Sequence, residues 1–570
     1  MKRTVVTLLV LALAASAALA APPILRVRAA SLDAVVQDIS AASLAVGHPV
    51  QRETTLAALA FALSVPDLSF VDPTKPLALG MPMEGMLAGP KGMVAVLPVK
   101  DRAKSIAALA QAFAGHTFDG GVHTFTAEDA DTRLYAREAE GVLITGPTRE
   151  LLAAIDPAEA LSGKDLPAGS LVLTVEIEPI APLLASGFAL GRRAITEGPP
   201  KPPPGPDGTE AAVPPPLPKE IVPLLDVYFD LLQDGIDNVS RVQLALSVEG
   251  GSILVRTRLV AKKDSALGAF CAAQVLTGSV AATRAVPDDA PLRLAGRIQW
   301  TPEALTYLSD YSGRFMDALR TAAGEAEPAV VQQLDAWLEM WDMTGPSRMM
   351  QCSRGDFAVS MGYRPDGKQT MLEAFGLETT QACAEVLEAQ LERVRSKGTL
   401  RESLVEETLE PQKLKTSVMK YTSPAFAVSG TPPGAAPEEV VVRMAQADDL
   451  FLLGLGEGSA DAFRAVLARR PPAKDARVPT SPSFVTGHLD VGTMLKNAPA
   501  DASEAPSLRA FADRLQGSAG KIVVGMRFLD AAADFELGIP LGLLDAMGKA
   551  VAAEAKKNTE DEDEELEEEP

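Results

Sequence analysis

The sequence predicts an α+β protein built from tandemly duplicated modules of mainly antiparallel sheet, with helices packed on one face. Three observations predict this class. Four segments begin as alternating strands and continue at helical spacing, starting at Ile24, Ser170, Leu292 and Ser483. Hairpins outnumber the crossovers that a parallel sheet would need. The order of elements after Ile24 recurs after Leu292, and the order after Ser170 recurs after Ser483.

The longer modules, named A, are each predicted to open with a strand and a helix, followed by a second helix (residues 55–63 and 331–340) and two further strands. A third helix (residues 100–114 and 379–394) and a meander that ends in a helix complete each module. The first meander has the strands VHTFTA, TRLYAREA and GVLITG, and the second has KLKTSVMKY, EVVVRMA and LFLLGLG. The shorter modules, named B, lack the meander. Each is predicted to contain a helix, a two-strand ribbon and a closing helix after the opening segment. The chain therefore has the order A-B-A-B.

The module boundaries follow from this order. Module A1 is predicted over residues 21–166, B1 over 167–287, A2 over 288–472 and B2 over 473–555. The proline-rich run at 197–220 falls inside B1, where B2 has only NAPADASEAP. Such a composition favours polyproline II or disorder, so we expect a disordered insert within a module rather than a linker.

This order of modules resembles that of a loosely defined group of uncharacterised exported bacterial proteins built of repeated α+β modules. The resemblance spans most of the mature chain and rests on the order of the modules, without a diagnostic motif. It implies nothing about activity.

The two ends of the chain have characteristic compositions. Lys2 and Arg3 precede an apolar run and an A-x-A site at residues 18–20, so residues 1–20 are predicted to be a secretory signal peptide. The apolar run is shorter than the ~20 residues that span a bilayer, and no later segment is apolar enough to do so. We expect an exported bacterial protein, periplasmic or extracellular, without an integral membrane segment in the mature chain. Residues 556–570 predict a disordered acidic tail.

Charge and cysteine content limit the classes of partner and of covalent structure. The formal net charge is -22, which opposes nucleic acid binding because phosphate contacts need clustered Lys and Arg. An envelope protein is the partner class that we expect. Three cysteines are too few for a disulfide framework in a chain of 570 residues. Cys352 and Cys383 fall in one module and form the predicted pair if one exists, and buried free thiols are the alternative.

His116 and His123 form the nearest pair among four histidines. In a two-residue hairpin at Asp119-Gly120 they would face each other at ~5 Å. A metal site needs three or four ligands, and a third ligand is missing. The alternative is structural, with Gly115 as a left-handed helix cap and His123 on the next strand. The sequence therefore predicts no metal site and leaves these histidines as weak candidates.

No catalytic or cofactor-binding residue is predicted. Ser417 and Lys420 spell S-x-x-K, but they lie on a predicted strand, where positions i and i+3 point to opposite faces. The glycines at 454, 456 and 458 lie between a strand and a helix, as in a phosphate-binding loop. The first module A has GVLITGPTRELLAA at this point, so an open loop is not a common property of the modules. We therefore expect no cofactor.

These observations predict an exported, non-enzymatic repeat protein that binds or organises another component of the bacterial envelope. A carrier of lipid or another apolar ligand is the first alternative. It predicts a cavity on the order of several hundred Å³ in one half. An envelope hydrolase is the second alternative, and it requires convergent polar residues with perturbed pKa values in a cleft.

Overall fold

The chain forms mixed α+β structure with antiparallel strand pairing. The computed structural model describes residues 23–62, 65, 67–82, 92–128, 132–197, 222–279, 282–287, 289–323, 352–363, 369–377, 385, 404–411, 413–422, 439–469, 477–482, 484–497, 511–515, 517–550 and 552. Two compact units divide the chain. Unit 1 comprises Met1–Ile180, Val239–Val260 and Phe535–Pro570, and unit 2 comprises Ala181–Asn238 and Ala261–Asp534.

Unit 1 is organised around a series of antiparallel strands. Its strands are β1 (Leu25–Ala29), β2 (Leu77–Met81), β3 (Val94–Pro98), β4 (Gly115–Asp119), β5 (Val122–Thr126), β6 (Arg133–Ala139), β7 (Val142–Gly146), β8 (Leu171–Glu176), β9 (Val239–Glu249) and β10 (Ser252–Ala261). The first nine pair in the order β4-β5-β6-β7-β3-β2-β1-β8-β9. The strand β10 follows β9 through the glycine turn at residues 250–251.

Helices cover both faces of this series. They are α1 (Leu32–Ala45), α2 (Arg52–Ala62), α3 (Arg102–Ala112), α4 (Arg149–Ala154) and α5 (Pro157–Leu161). The first three pack with Leu97 and Leu143, whereas α4 and α5 pack with Val96 and Ile144. Successive side chains of a strand point to opposite faces, so helices lie on both sides. The prediction that helices pack on one face is therefore wrong for unit 1. Every residue of β3 and β7 is buried, so both faces of these strands need a cover of helices.

Unit 2 contains a second series of antiparallel strands. Its strands are β11 (Val275–Ser279), β12 (Leu292–Arg297), β13 (Ser353–Tyr363), β14 (Gln369–Leu377), β15 (Leu404–Leu409), β16 (Leu414–Thr422), β17 (Glu439–Ala447), β18 (Leu450–Leu455), β19 (Arg477–Pro482), β20 (Phe484–Asp490) and β21 (Lys521–Leu529). Nine of them pair in the order β15-β16-β17-β18-β14-β13-β12-β20-β21. The strands β11 and β19 form a separate ribbon. The last strand, β22 (Ala532–Pro540), follows β21 through a short turn, and its residues from Phe535 onward belong to unit 1.

The helices of unit 2 divide into those that pack on strands and those that pack on each other. They are α6 (Ala181–Glu197), α7 (Val222–Asn238), α8 (Ala266–Ala272), α9 (Pro302–Ala323), α10 (Ser459–Arg469) and α11 (Val491–Lys496). Phe463 of α10 packs in a core with Leu372 and Leu452, and Cys271 of α8 packs in another with Val485. The helix α7 contacts both α6 and α9. In unit 1, a last helical run covers residues 541–550.

The predicted meanders are incomplete. Each is preceded by one more strand, β4 in unit 1 and β15 in unit 2, so each has four strands. Predicted helices at residues 331–340 and 379–394 lie outside the described residues, apart from Glu385. The same holds for the predicted signal peptide, the acidic tail and the proline-rich insert after Glu197. Within the described ranges, every helix is too short or too polar to cross a membrane.

Candidate functional site

The hairpin of β4 and β5 carries the two histidines that the sequence identified. Its turn consists of Gly120 and Gly121, with φ of +58° and +79°, a backbone region that favours glycine. Asp119 pairs with Val122, so the predicted turn at Asp119-Gly120 is wrong by one residue. The shift changes which side chains stand opposite each other.

The histidines are diagonal neighbours on one face of the hairpin. His116 pairs with Phe125, and His123 pairs with Phe118. Even so, the rings meet, because Nε2 of His116 lies 3.0 Å from Nδ1 of His123. The rings are 16° from parallel, and their centroids are 5.3 Å apart. The two imidazoles therefore form a close pair that the diagonal register permits.

A third polar group, which the sequence reasoning missed, approaches the pair. Oε1 of Glu138 on β6 lies 3.5 Å from Nε2 of His123, the ring nitrogen that faces away from His116. His123 pairs with Ala136 on β6, so Glu138 is two residues along and on the same face. That alternation is the signal in the sequence that would have identified it, once the pairing of β5 with β6 was known.

Two aromatic rings flank the pair, the buried ring of Phe125 and the exposed ring of Phe118. The ring of Phe125 stacks on His116 at 4.8 Å, and the ring of Phe118 lies 4.5 Å from His123. His116 is exposed, whereas the side chain of His123 is 12% exposed. Burial lowers the pKa of His123, the neighbouring His116 lowers it further, and Glu138 raises it. Where the chain is described, no three His, Cys, Asp or Glu side chains are grouped so as to hold a metal ion.

Gly115 does not cap a helix. The helix α3 ends at Ala112, its C-cap is Phe113 in an extended conformation, and Gly115 is the first residue of β4. The predicted left-handed cap is therefore wrong. Extended backbone follows the helix directly because the chain enters the additional strand that the sequence did not reveal.

The other sequence candidates have structural surroundings. Ser417 and Lys420 lie on β16, as the alternation predicts. Ser459, after the glycine-rich segment, is buried, donates to the carbonyl of Gly456 and accepts from Arg443. Cys352 is buried, and Cys383 lies outside the described residues, so their disulfide stays a prediction.

Unit 2 contains an open cavity of about 420 Å³. Strands β13 and β14, the helix α10 and the segment before β12 line it, and most of the contributing side chains are apolar, including Ala290, Pro291, Met361, Leu372, Ala465 and Val466. Asp289, Ser360, Thr370, Thr493 and Asn497 add polar atoms, and the carboxyl group of Asp289 is the charged member of this set. The hydroxyl of Thr370 is buried and has no hydrogen-bond partner. The cavity thus combines an apolar lining with a few polar groups.

Glu373 has a carboxyl group with a strongly perturbed pKa. It lies on β14 between Val359 of β13 and Leu453 of β18. Burial raises its pKa to about 7. Leu372 lines the cavity, so the next residue, Glu373, points to the opposite face of the sheet. The perturbed carboxyl and the cavity therefore do not form one site.

The helices α6, α7 and α9 expose large apolar side chains. Leu183 and Leu190 of α6 are 59% and 65% exposed, and Tyr228 of α7 is 53% exposed. Polar contacts join the three helices. Arg192 of α6 and Arg314 of α9 both pair with Asp230 of α7, and the hydroxyl of Tyr307 on α9 donates to Asp234 of α7 at 2.9 Å. Their charged groups are thus paired between helices, and apolar side chains face solvent.

Comparison with known proteins identifies no relative by sequence. No family model matches the chain, and the curated proteins contain no match. The chain is similar to a solved structure, crystal form I of TP0453, with 8% identity and a TM-score of 0.21. The similarity covers 43% of this chain and 78% of TP0453. A likeness at this score carries no argument about fold or function.

Proposed function

We propose that this chain is an exported, non-enzymatic binding protein of the bacterial envelope, and that the cavity of unit 2 binds a small apolar ligand. The cavity is the observation that supports this function. Its volume of about 420 Å³ falls in the usual range of ligand sites, roughly 300–1,000 Å³. The apolar lining favours a hydrophobic ligand, such as an acyl chain, and the unpartnered hydroxyl of Thr370 favours a ligand with one hydrogen-bonding group.

The chain is also proposed to be an internal duplication with the order A-B-A-B. The identical pairing order of nine strands in unit 1 and nine in unit 2 supports it. Equivalent positions in the two registers also carry similar side chains. In unit 1, Arg26 of β1 contacts Glu176 of β8, which pairs with Arg241 of β9. The corresponding register positions in unit 2 hold Arg293, Asp490 and Lys521.

Ligand binding is tested by filling the cavity. Ala465→Phe places a large ring in the cavity wall, and Ala153→Phe is its matched control on the exposed surface of α4. We expect a fluorescent fatty acid to bind the wild type and the control, and to bind Ala465→Phe at least tenfold more weakly. Native mass spectrometry of the purified wild type should show a retained apolar ligand. Equal probe affinity in both variants, or no probe binding to the wild type, would falsify this function.

A scaffold that contacts another envelope protein is the second candidate function. The exposed Leu183, Leu190 and Tyr228 on two neighbouring helices favour it, because large exposed apolar side chains often mark a contact site. A photo-crosslinking residue at Leu190 should give one discrete adduct with an envelope protein in cells. The control is Leu44 on α1, which is 67% exposed and lies in unit 1. Equal adducts from both positions, or an adduct with a second copy of this chain, would contradict a specific envelope partner.

An envelope hydrolase has less support. It needs a general acid or base beside a substrate cleft. Glu373 has a pKa near neutrality, yet it faces away from the cavity that would hold the substrate. Hydrolysis therefore remains the alternative that the sequence left open, without a described residue in a catalytic position.

A further inference from the structure

We propose that His116 and His123 bind a divalent transition-metal ion through their facing ring nitrogens, with Glu138 holding His123 in the required orientation. This site lies in unit 1 and is independent of the ligand proposed for unit 2. It rests on the distance between the two nitrogens, on the position of the carboxylate and on the exposure of His116.

The spacing of the nitrogens fits a shared ion. Nε2 of His116 and Nδ1 of His123 are 3.0 Å apart. Two imidazole nitrogens at ~2.1 Å from one zinc ion, with a bond angle between right-angled and tetrahedral, are separated by about 3.0–3.4 Å. Binding of an ion therefore requires the two imidazole rings to tilt, but it requires no change in the pairing of β4 with β5. Without an ion, the same contact is an N–H···N hydrogen bond, in which one nitrogen donates and the other accepts.

Glu138 selects the form of His123 that can bind. A carboxylate beside Nε2 accepts the proton of that nitrogen, so the lone pair of Nδ1 faces His116. Carboxylates in this position orient metal-bound histidines and increase their basicity, and their loss commonly weakens binding about 10–100-fold. The 3.5 Å between Glu138 and His123 shortens readily when a bound cation increases the charge on the ring.

The surroundings determine the class of ion. Imidazole nitrogens suit zinc, copper and nickel, whereas magnesium and calcium prefer oxygen ligands. His116 is exposed, so an ion enters from solvent, and water supplies the remaining ligands. Phe118 and Phe125 flank the rings and restrict their alternative orientations. A two-histidine site of this kind binds its ion reversibly at the surface.

Isothermal titration of the full-length, chelator-treated protein with zinc chloride tests the site. We expect saturable binding of one ion per chain to a site that includes His116. His116→Ala should weaken binding at least tenfold, and Glu138→Gln should weaken it by about tenfold. His48→Ala, at an exposed histidine in the same unit, is the matched control and should leave the affinity unchanged.

Ring nitrogen chemical shifts give a second measurement that does not depend on heat. Zinc should move the resonances of Nε2 of His116 and Nδ1 of His123 and leave those of His488 in place. His488 is a suitable reference because its Nε2 contacts the carbonyl of Ala290 at 2.9 Å. Unchanged zinc affinity in His116→Ala would overturn the proposal, as would shifts confined to other histidines. Because His116 is exposed, its replacement tests binding without disrupting a core.

Discussion

In unit 1 the corner between β2 and the end of α4 is closed by side chains. A Cβ built on Gly80 of β2 would lie 3.2 Å from Cγ of Pro23 and 3.8 Å from Cδ1 of Ile155. The helix α5 then continues across the same corner and contributes Ala160 and Leu161 to the core. The space above β2 is therefore occupied from two directions, by the segment before β1 and by the segment after α4.

In unit 2 the equivalent corner is open. Gly80 pairs with Arg26, the second residue of β1, and Ser360 pairs with Arg293, the second residue of β12. Ser360 lines the cavity together with Ala290, which precedes β12 as Pro23 precedes β1. The two units thus share a strand order and differ in what covers it. Cavities in such a series depend on a few side chains and flanking segments rather than on topology.

Leu152→Ala should have the largest effect on this comparison. Leu152 is fully buried under the closed corner and packs against Val94 and Ile144. Removing three buried carbons from a packed site should destabilise unit 1 by about 3 kcal/mol. Hydrogen exchange of the β2 and β3 amides, measured by mass spectrometry, reports the loss of stability in unit 1.

Val466→Ala is the comparison at the open corner. Val466 is also buried, but it lines the cavity, and its replacement removes two carbons where Leu152→Ala removes three. We expect a loss of about 1–2 kcal/mol, read from exchange in β14 and β18. A larger loss at Val466 than at Leu152 would mean that the open corner is the better packed one, and the comparison would fail.

Glu373→Gln should have the next largest effect, and it should depend on pH. The register places Glu373 where unit 1 has Ala95, since Leu79 pairs with Ala95 and Val359 pairs with Glu373. Burial raises the pKa of Glu373 from 4.5 to about 7, so the folded protein retains a proton that the unfolded chain releases. The wild type therefore loses stability as pH rises from about 4.5 to 7, and the loss is constant above that.

The variant removes this dependence. At pH 8, Glu373→Gln should be more stable than the wild type by roughly 3 kcal/mol, and the two should be nearly equal at pH 4. Urea unfolding at the two pH values, followed through exchange in β13 and β14, measures the difference. Ala95→Ser, a small polar change at the equivalent position, is the control and should show no such pH dependence. Equal stability of variant and wild type at pH 8 would show that the ionised carboxyl is solvated in the folded state.

Much of the strand content could be predicted from alternation and from turn residues. The segments at Ile24 and Leu292 do begin with β1 and β12, and Ser31 does cap α1 by accepting from the amide of Ala34. The strand β4 was missed because its sequence, GHTFD, is short and polar enough to be taken for a helix end and a turn. Its five residues are stabilised as a strand by their pairing with β5, and the pattern of the five residues alone does not reveal that pairing.

The sites were harder to predict than the strands. The sequence identified His116 and His123 but misplaced their turn, and a one-residue shift in register changes which side chains are opposite. Glu138 joins them only through the pairing of β5 with β6. The cavity had no local signal, because it arises where Ala290 and Val466 replace larger side chains around one corner. Such differences become visible only when the two registers are aligned.

Glu176→Gln should have a moderate effect and compares the charged positions of the two registers. Glu176 contacts both Arg26 and Arg241, and its side chain is 12% exposed. Neutralising it leaves two guanidinium groups beside each other, so we expect a loss of about 1.5 kcal/mol in unit 1. Asp490→Asn is the matched change and should cost about 0.5 kcal/mol, because the amide oxygen still caps α11 at Thr493. Hydrogen exchange in β8 and in β20 measures the two losses of stability. Equal losses would indicate that the two charged positions contribute alike to stability.

Gly80→Ala should have a smaller effect than Leu152→Ala, Glu373→Gln and Glu176→Gln, and it tests the closed corner directly. An added methyl group would lie 3.2 Å from Pro23, closer than an ordinary carbon contact, so the segment before β1 must shift. We expect a loss of about 1 kcal/mol. Ser360→Ala at the open corner removes one oxygen from a cavity wall and should change stability by less than about 0.5 kcal/mol. Thermal unfolding, combined with hydrogen exchange of the amides in β1 and β12, measures both changes in stability. If Gly80→Ala is neutral and Ser360→Ala is costly, the space lies over β2 rather than over β13, and the assignment of the open corner to unit 2 is wrong.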